Sequence, residues 1–318
     1  MARILTLTLN PALDLTLRLP RLEPGAVNRG QALVSHAAGK GLNVAQVLAD
    51  LGHALSVSGF LGAGNAQPFE ALFARRGFHD AFVRVEGETR SNLKLAEDDG
   101  RITDINGPGP EVDAAARDEL LRRLDALVPG HDLVVVAGSL PRGLDADWFA
   151  ALLRRLRALG ARVALDSSGA ALRAGLATAP WLVKPNVEEL AEACGRPLDE
   201  LAAQAEEAAR LQAAGIEHLV LSMGAEGVRW FAGAQALQAR PPKVQVSSTV
   251  GAGDSLLAGM VHGLLAGWPA ERTLAHATAI AAQAVTQIGF GIHDRAQLAS
   301  LESGVVVQPA EEQHEVPR

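Results

Sequence analysis

Short apolar runs alternate with longer helical stretches along most of this chain, and that rhythm narrows the fold class sharply. Runs read as strands lie at residues 4–9, 54–60, 133–137, 163–166, 181–183 and 218–222. Helical patterns fall between them, such as residues 42–51, closed by Gly52, and residues 117–127. Repeated βα units imply a three-layer α/β fold, a mainly parallel sheet with helices on both faces. Sheets of this kind bind ligands where the loops leave the carboxyl ends of the strands. At 318 residues, 48% of them hydrophobic, the chain can bury the core of one such domain spanning residues 1–318.

Two segments break the rhythm. Leu13, Leu15, Leu17 and Leu19 alternate with Asp14, Thr16 and Arg18, while Arg90, Asn92 and Lys94 alternate with Ser91, Leu93 and Leu95. Period-two alternation marks strands with one polar face. Both are read as a small β-sheet lid, formed by roughly residues 12–36 and 88–106. Extra edge strands on the main sheet would show the same pattern. The stretch from Val307 is polar with two prolines and is expected to be a frayed tail.

With 29 basic and 36 acidic residues the net charge is −7, a poor basis for non-specific nucleic-acid binding. The single cysteine, Cys194, permits no intramolecular disulfide, which suits a reducing compartment. Cys194 is expected to be a small core residue rather than a reactive thiol. Residues 2–10 alternate leucine with threonine as a strand does, unlike a signal peptide, and no apolar run is long enough to span a bilayer. A soluble cytoplasmic protein without membrane or nucleic-acid partners is expected. None of the nine histidines shows metal-ligand spacing. Only His36 stands beside a segment that carries chemistry.

The strongest such segment is Thr249-Val-Gly-Ala-Gly-Asp-Ser255, directly before an apolar helical run. Gly251 and Gly253 let backbone approach a ligand, and amides at a helix start form an anion site. A phosphoryl group in transfer spreads negative charge that such a site stabilises. Asp254 stands where a carboxylate can take the proton of an attacking hydroxyl. Aspartate is also a common helix cap. A second turn, Gly39-Lys40-Gly41 followed by Asn43, precedes another helix but lacks Walker A spacing. It reads equally as a plain βα turn with a surface lysine. Arg90, Asn92 and Lys94 share one strand face, where two cations and an amide suit a phosphate or simply face solvent. Asn186 and Glu189 can serve Mg²⁺, form a capping box, or do both. Asp166 ends a strand, placed either at a site mouth or as a turn cap.

These segments together resemble the ribokinase-like, phosphofructokinase-B carbohydrate kinases. The resemblance runs through Asn10-Pro-Ala-Leu-Asp14, residues 36–45, Thr89-Arg90-Ser-Asn92-Leu-Lys94, Gly138-Ser139, Lys184-Pro-Asn186-Val-Glu-Glu189, Ser222-Met-Gly224-Ala-Glu-Gly227 and residues 249–255, in family order. It implies Asp254 as catalytic base and Gly251, Ala252 and Gly253 as the anion hole. It implies sugar-phosphate contacts from Asp14, Gly39, Lys40, Asn43, Arg90, Asn92, Lys94 and Ser139. It implies nucleotide contacts from Lys184, Asn186, Ser222, Gly224 and Gly227, and Mg²⁺ organised by Asn186 and Glu189. The expected substrates are ATP and a small sugar phosphate, and a homodimer through the lid is a further expectation.

Residues 36–45 are similar to the version found in kinases of fructose 1-phosphate. Val27 stands where the fructose-6-phosphate branch carries a lysine, while Lys40 brings a cation into the turn. The expected reaction is therefore phosphorylation of fructose 1-phosphate at its C6 hydroxyl. Alternatives are a tagatose-6-phosphate or fructose-6-phosphate kinase, or an inactive sugar-phosphate sensor. The last sits poorly with an intact Asp254 and Asn186–Glu189 pair. A dinucleotide-dependent dehydrogenase is disfavoured, since no Gly-x-Gly-x-x-Gly follows the first strand.

Overall fold

The computed structural model describes residues 1–310. In chain order it contains β1 (Arg3–Thr8), β2 (Ala12–Leu19), β3 (Ala32–Ala38), α1 (Lys40–Asp50), β4 (Ala54–Gly62), α2 (Gln67–Arg76), β5 (His79–Asp80), β6 (Val83–Val85), β7 (Ser91–Glu97) and β8 (Ile102–Asn106). Then follow α3 (Ala114–Leu127), β9 (Leu133–Ala137), α4 (Ala146–Ala158), β10 (Val163–Asp166), α5 (Gly169–Leu176), β11 (Leu182–Val183), α6 (Val187–Cys194), α7 (Leu201–Ala213) and β12 (His218–Ser222). The last part holds β13 (Val228–Ala232), β14 (Gln235–Arg240), α8 (Ala252–Leu265), α9 (Ala270–Ala284), α10 (Arg295–Ser303) and β15 (Val306–Pro309).

Eleven strands form the main sheet in the order β15-β14-β13-β12-β11-β10-β9-β1-β4-β5, with β6 also on β4. From β12 to β5 every pairing is parallel, while β13, β14 and β15 add antiparallel strands on one side. Alternate residues of the central strands feed two cores. Ile4, Leu133 and Val135 join Leu42, Val44 and Leu48 of α1 and Leu257 and Met260 of α8. Leu5, Leu7, Val134 and Val136 join Leu120 of α3, Phe149 and Leu153 of α4 and Leu211 of α7. Helices on both faces and near-continuous apolar strands are what a parallel sheet requires.

The two alternating segments do not extend this sheet. They form a separate four-stranded sheet, β3-β2-β7-β8. Asp14 pairs with His36 on one side and Asn92 on the other. Asp14, Thr16, His36, Asn92, Lys94, Asp104 and Asn106 therefore share one face, and Leu15, Leu17, Leu33, Leu93 and Ile105 share the opposite face.

One expectation fails. The stretch from Val307 is not frayed to residue 310: Val306–Pro309 is β15, with Gln238 opposite Gln308 and Leu237 opposite Pro309. A proline lacks an N–H but is tolerated on an edge strand, so it did not end the sheet here. The remainder of that stretch, 311–318, lies outside the described residues.

Cys194 is half-buried, and its Sγ lies 3.0 Å from Glu207 Oε1. Burial and the Glu207 carboxylate push the thiol up to about 11, which leaves it without thiolate character.

Candidate active site

Five neighbouring strands end on one side of the sheet, and each delivers a polar group there. Ser222 is the last residue of β12, Lys184 follows β11, Asp166 is the last residue of β10, Ser139 lies beyond β9 and Asn10 beyond β1. Strand order reverses between β9 and β1, where open α/β sheets bind ligands. Asn10 Nδ2 donates to Ser139 Oγ at 3.1 Å and to the Leu140 carbonyl at 3.2 Å, tying the two loops together across that point. Asn10 opened a motif in the sequence but had been given no contact of its own.

Above the strand ends two helices arrive by their N-termini. α1 starts at Lys40 and packs on β1 so closely that Gly41 is required: a Cβ there would stand 2.4 Å from Thr8 Oγ1 and 2.8 Å from the Leu7 carbonyl oxygen. α8 starts after Gly251, which caps it with φ +82°, and no side chain caps this end. Ser255 N is the first amide to reach back, donating to the Gly251 carbonyl at 2.8 Å. The amides of Ala252, Gly253 and Asp254 therefore have no intrahelical acceptor, as at any helix start.

Asp254 is the third residue of α8 and only 5% exposed. It caps nothing. Its Oδ2 accepts a hydrogen bond from Asn43 Nδ2 of α1 at 2.8 Å, which sets aside the cap interpretation. Asp166 is fully buried, with Lys40 Nζ 3.0 Å from Oδ1 and Lys184 Nζ 3.1 Å from Oδ2. Gly253 lets the α8 turn approach this cluster, since a Cβ there would lie 3.2 Å from Lys184 Nζ.

The charges follow from this packing. Burial alone would raise Asp166, but the ammonium groups of Lys184 and Lys40 outweigh it and hold the carboxyl below its ordinary range. Burial and the neighbouring Asp166 charge push Asp254 up to about 6, against the pull of Lys40, the Asn43 hydrogen bond and Lys184. Burial also works against a charged Lys40, and Asp166 and Asp254 more than restore it. Two carboxylates thus share one site with opposite perturbations, a pattern typical of divided acid–base roles.

Asn186 and Glu189 do form a capping box on α6: Glu189 N donates to Asn186 Oδ1 at 2.6 Å, and Asn186 N donates to Glu189 Oε2 at 2.9 Å. Both still line the same cavity as Asp254. On the lid side, Asp14, Arg90, Asn92 and Lys94 line it too, in a space of about 420 Å³. Asp14 is raised by burial, opposed chiefly by the Asn92 hydrogen bond at 2.9 Å. Lys94 is engaged by Asp104 at 2.6 Å, and Arg90 reaches the carbonyls of Asn10 at 3.2 Å and Pro11 at 3.4 Å.

The cavity thus gathers Gly39, Lys40, Asn43, Ser222, Gly251 and Gly253 as well. Gly224 and Gly227 do not line it. Gly227 answers a backbone need, because a Cβ there would stand 2.0 Å from the Ala239 carbonyl oxygen. Ser139, bonded to Asn10, does not line the cavity either. The sequence reading had not singled out Asp104 and Asn106, which β8 brings to the same cavity. An exposed strand without periodic apolar residues gave no signal for them.

Residues 7–295 match the pfkB family carbohydrate kinases. The chain belongs to that family. As a pfkB carbohydrate kinase it takes its phosphoryl group from ATP. The 1-phosphofructokinase of Vibrio cholerae serotype O1 is 47% identical over 305 residues, 96% of either chain. That of Escherichia coli K12 is 46% identical over 307 residues, 96% of this chain and 98% of the other. Among solved structures, phosphofructokinase-2 from Escherichia coli in complex with potassium matches with a TM-score of 0.86 at 28% identity, covering 96% of this chain and 99% of that one. A possible 1-phosphofructokinase from Thermotoga maritima matches with a TM-score of 0.83 at 26% identity, covering 97% and 100%.

Proposed function

We propose that this kinase phosphorylates fructose 1-phosphate at its C6 hydroxyl, giving fructose 1,6-bisphosphate and ADP. The observation that carries it is the buried Asp254 carboxylate at the open amide end of α8, beside two lysines, in a chain that matches relatives named 1-phosphofructokinase over nearly their full length. Asp254 takes the hydroxyl proton as the oxygen attacks the γ-phosphorus, and the bond to the bridging oxygen of ADP breaks. The amides of residues 252–254 face the charge that spreads over the transferring group. A base near 6 is ionised at neutral pH yet basic enough to accept the proton. Arg90 and Lys94, held by Asn10, Pro11 and Asp104, exchange those partners for the substrate phosphate.

The substrate claim is tested by competition among fructose 1-phosphate, fructose 6-phosphate and tagatose 6-phosphate. A preference of about two decades for the first is expected, equal to roughly 2.7 kcal/mol of transition-state discrimination. Preference for either 6-phosphate would overturn the substrate and leave the kinase reading standing.

The acidic groups here fit Mg²⁺ only in an indirect mode. Among the described residues no three or more His, Cys, Asp or Glu side chains converge to hold a metal. Mg²⁺ keeps several waters and shares phosphate oxygens, so one carboxylate and one amide, Glu189 and Asn186, suffice to orient it. The capping box engages only Oε2 of Glu189. When bound, the ion supplies charge neutralisation of the ATP phosphates. Glu189→Gln is expected to raise the Mg²⁺ concentration for half-maximal rate while leaving sugar-phosphate affinity nearly intact. Lower thermal stability with unchanged Mg²⁺ dependence would reduce the residue to its capping role.

A homodimer through the lid is part of the same proposal. The apolar lid face leaves Leu33 62% and Ile105 53% exposed, a poor arrangement for a lone surface. Leu33→Asp is expected to shift sedimentation toward a monomer, and an unchanged profile would remove the lid from the interface. A cytoplasmic location accords with this chemistry, and no described helix is long and apolar enough to cross a membrane.

A further inference from the structure

His36 has no part in the reaction described above, yet it lines a small recess that shares Asp14 and Lys94 with the cavity. It is half-buried on β3, directly opposite Asp14, which is itself directly opposite Asn92. Asn92 in turn faces Asn106. Directly opposed residues share a face with Cβ atoms about 5 Å apart. One row of four polar side chains, His36, Asp14, Asn92 and Asn106, therefore crosses the whole lid. Two atoms of that row are buried without a hydrogen-bond partner: His36 Nε2 and Asn92 Oδ1. Orphaned buried polar atoms are costly, so a row that holds two of them, one at the cavity and one at the adjoining recess, calls for a partner that arrives with a ligand.

The chemistry of the row says what His36 adds. Asp14 can only accept. Asn92 spends its Nδ2 on Asp14 and offers Oδ1, a second acceptor. Lys94 is held by Asp104, and Arg90 by backbone carbonyls. A sugar hydroxyl that gives its hydrogen to Asp14 still has lone pairs to satisfy, and the donor beside Asp14 is His36, through Nε2–H. His36 also borders a recess of about 50 Å³ between the lid and Ser248, Val250 and Phe290, room for a substituent of a small ring.

We propose that His36 is a specificity-determining residue of the sugar site, donating from Nε2 to a ring hydroxyl whose hydrogen Asp14 accepts. This rests on the sugar-phosphate reading of the cavity. His36→Phe keeps the ring's bulk and removes the donor, and His36→Gln returns a donor. The phenylalanine variant is expected to raise KM for the sugar phosphate about tenfold while KM for ATP stays within about twofold, and glutamine to regain most of the loss. Monodeoxy analogues locate the contact: the one lacking the contacted hydroxyl is penalised in the unaltered enzyme and suffers no further penalty in His36→Phe. Equal rises in both KM values, no rise in either, or full additivity for every deoxy analogue would each overturn the assignment. Failure of the unaltered enzyme to phosphorylate fructose 1-phosphate would instead strike the substrate proposal. Calorimetric binding of whichever ketohexose phosphate does bind, to all three proteins, then still decides the role of His36.

Discussion

Replacing Asp254 by asparagine is expected to lower kcat by about 10²–10⁴-fold, the usual cost of losing a positioned general base. The substitution keeps the side chain's size, and an amide oxygen can still accept from Asn43 Nδ2, so the joint between α1 and α8 survives. The amides of residues 252–254 are backbone and remain, so ATP affinity should change little. A second signature comes from pH. Burial and Asp166 hold Asp254 near 6, so the unaltered enzyme carries its base ionised above that pH and protonated below it. Its kcat/KM should rise with pH through about 6 and then level. In Asp254→Asn the acid limb due to this group disappears. Steady-state kinetics across pH 5 to 8 measures both effects, and near-normal turnover of the variant would remove Asp254 from the role of base.

The second large effect is expected at Asp166. Asp166→Asn leaves the ammonium groups of Lys40 and Lys184 without the carboxylate between them. Breaking a buried ion pair from one side typically costs about 3–5 kcal/mol. The Lys40 side chain is 40% exposed and can turn to water, whereas Lys184 is only 4% exposed, so a loss near about 3 kcal/mol is expected. Denaturant unfolding measures it. The same change removes a negative charge that raises Asp254 and frees two cations that lower it. The acid limb of kcat/KM should therefore move below pH 6 in whatever activity remains. A stable variant, or one whose limb stays in place, would contradict the charge arrangement described for this site.

Residues 133–137, 163–166 and 218–222 are strands with the bounds read from sequence, because strands buried on both faces announce themselves as apolar runs. β13 and β14 went unread, and so did β3 and β8 as separate strands of the lid. β3 is exposed over its first four residues and β8 over most of its length, so neither carries a burial rhythm. β15 was masked by its proline. Within the site, helix-start glycines and Asp254 were legible since their logic is local. Asp166 was ambiguous for a physical reason: its partner Lys40 lies 126 residues away, and only the order of the strands brings them together. The same holds for the row across the lid, whose four members come from four separate strands. The glycines at 224 and 227 lie outside the cavity lining, and Gly227 also meets a backbone need that the sequence does not reveal.

Asp166 also joins two subsites that the chain builds from distant segments. Its Oδ1 holds a lysine from the turn that opens α1, on the side assigned to the sugar, and its Oδ2 a lysine from the end of β11, on the side assigned to the nucleotide. A phosphate that draws Lys184 away leaves Asp166 to Lys40 alone, and the reverse holds when the sugar engages Lys40. Under the proposed assignment of these lysines, one carboxylate gives the two substrates a shared free-energy term. Linkage makes it reciprocal: whatever factor ATP imposes on the affinity for the sugar phosphate, the sugar phosphate imposes on ATP. An affinity for either substrate then has meaning only at a stated concentration of the other.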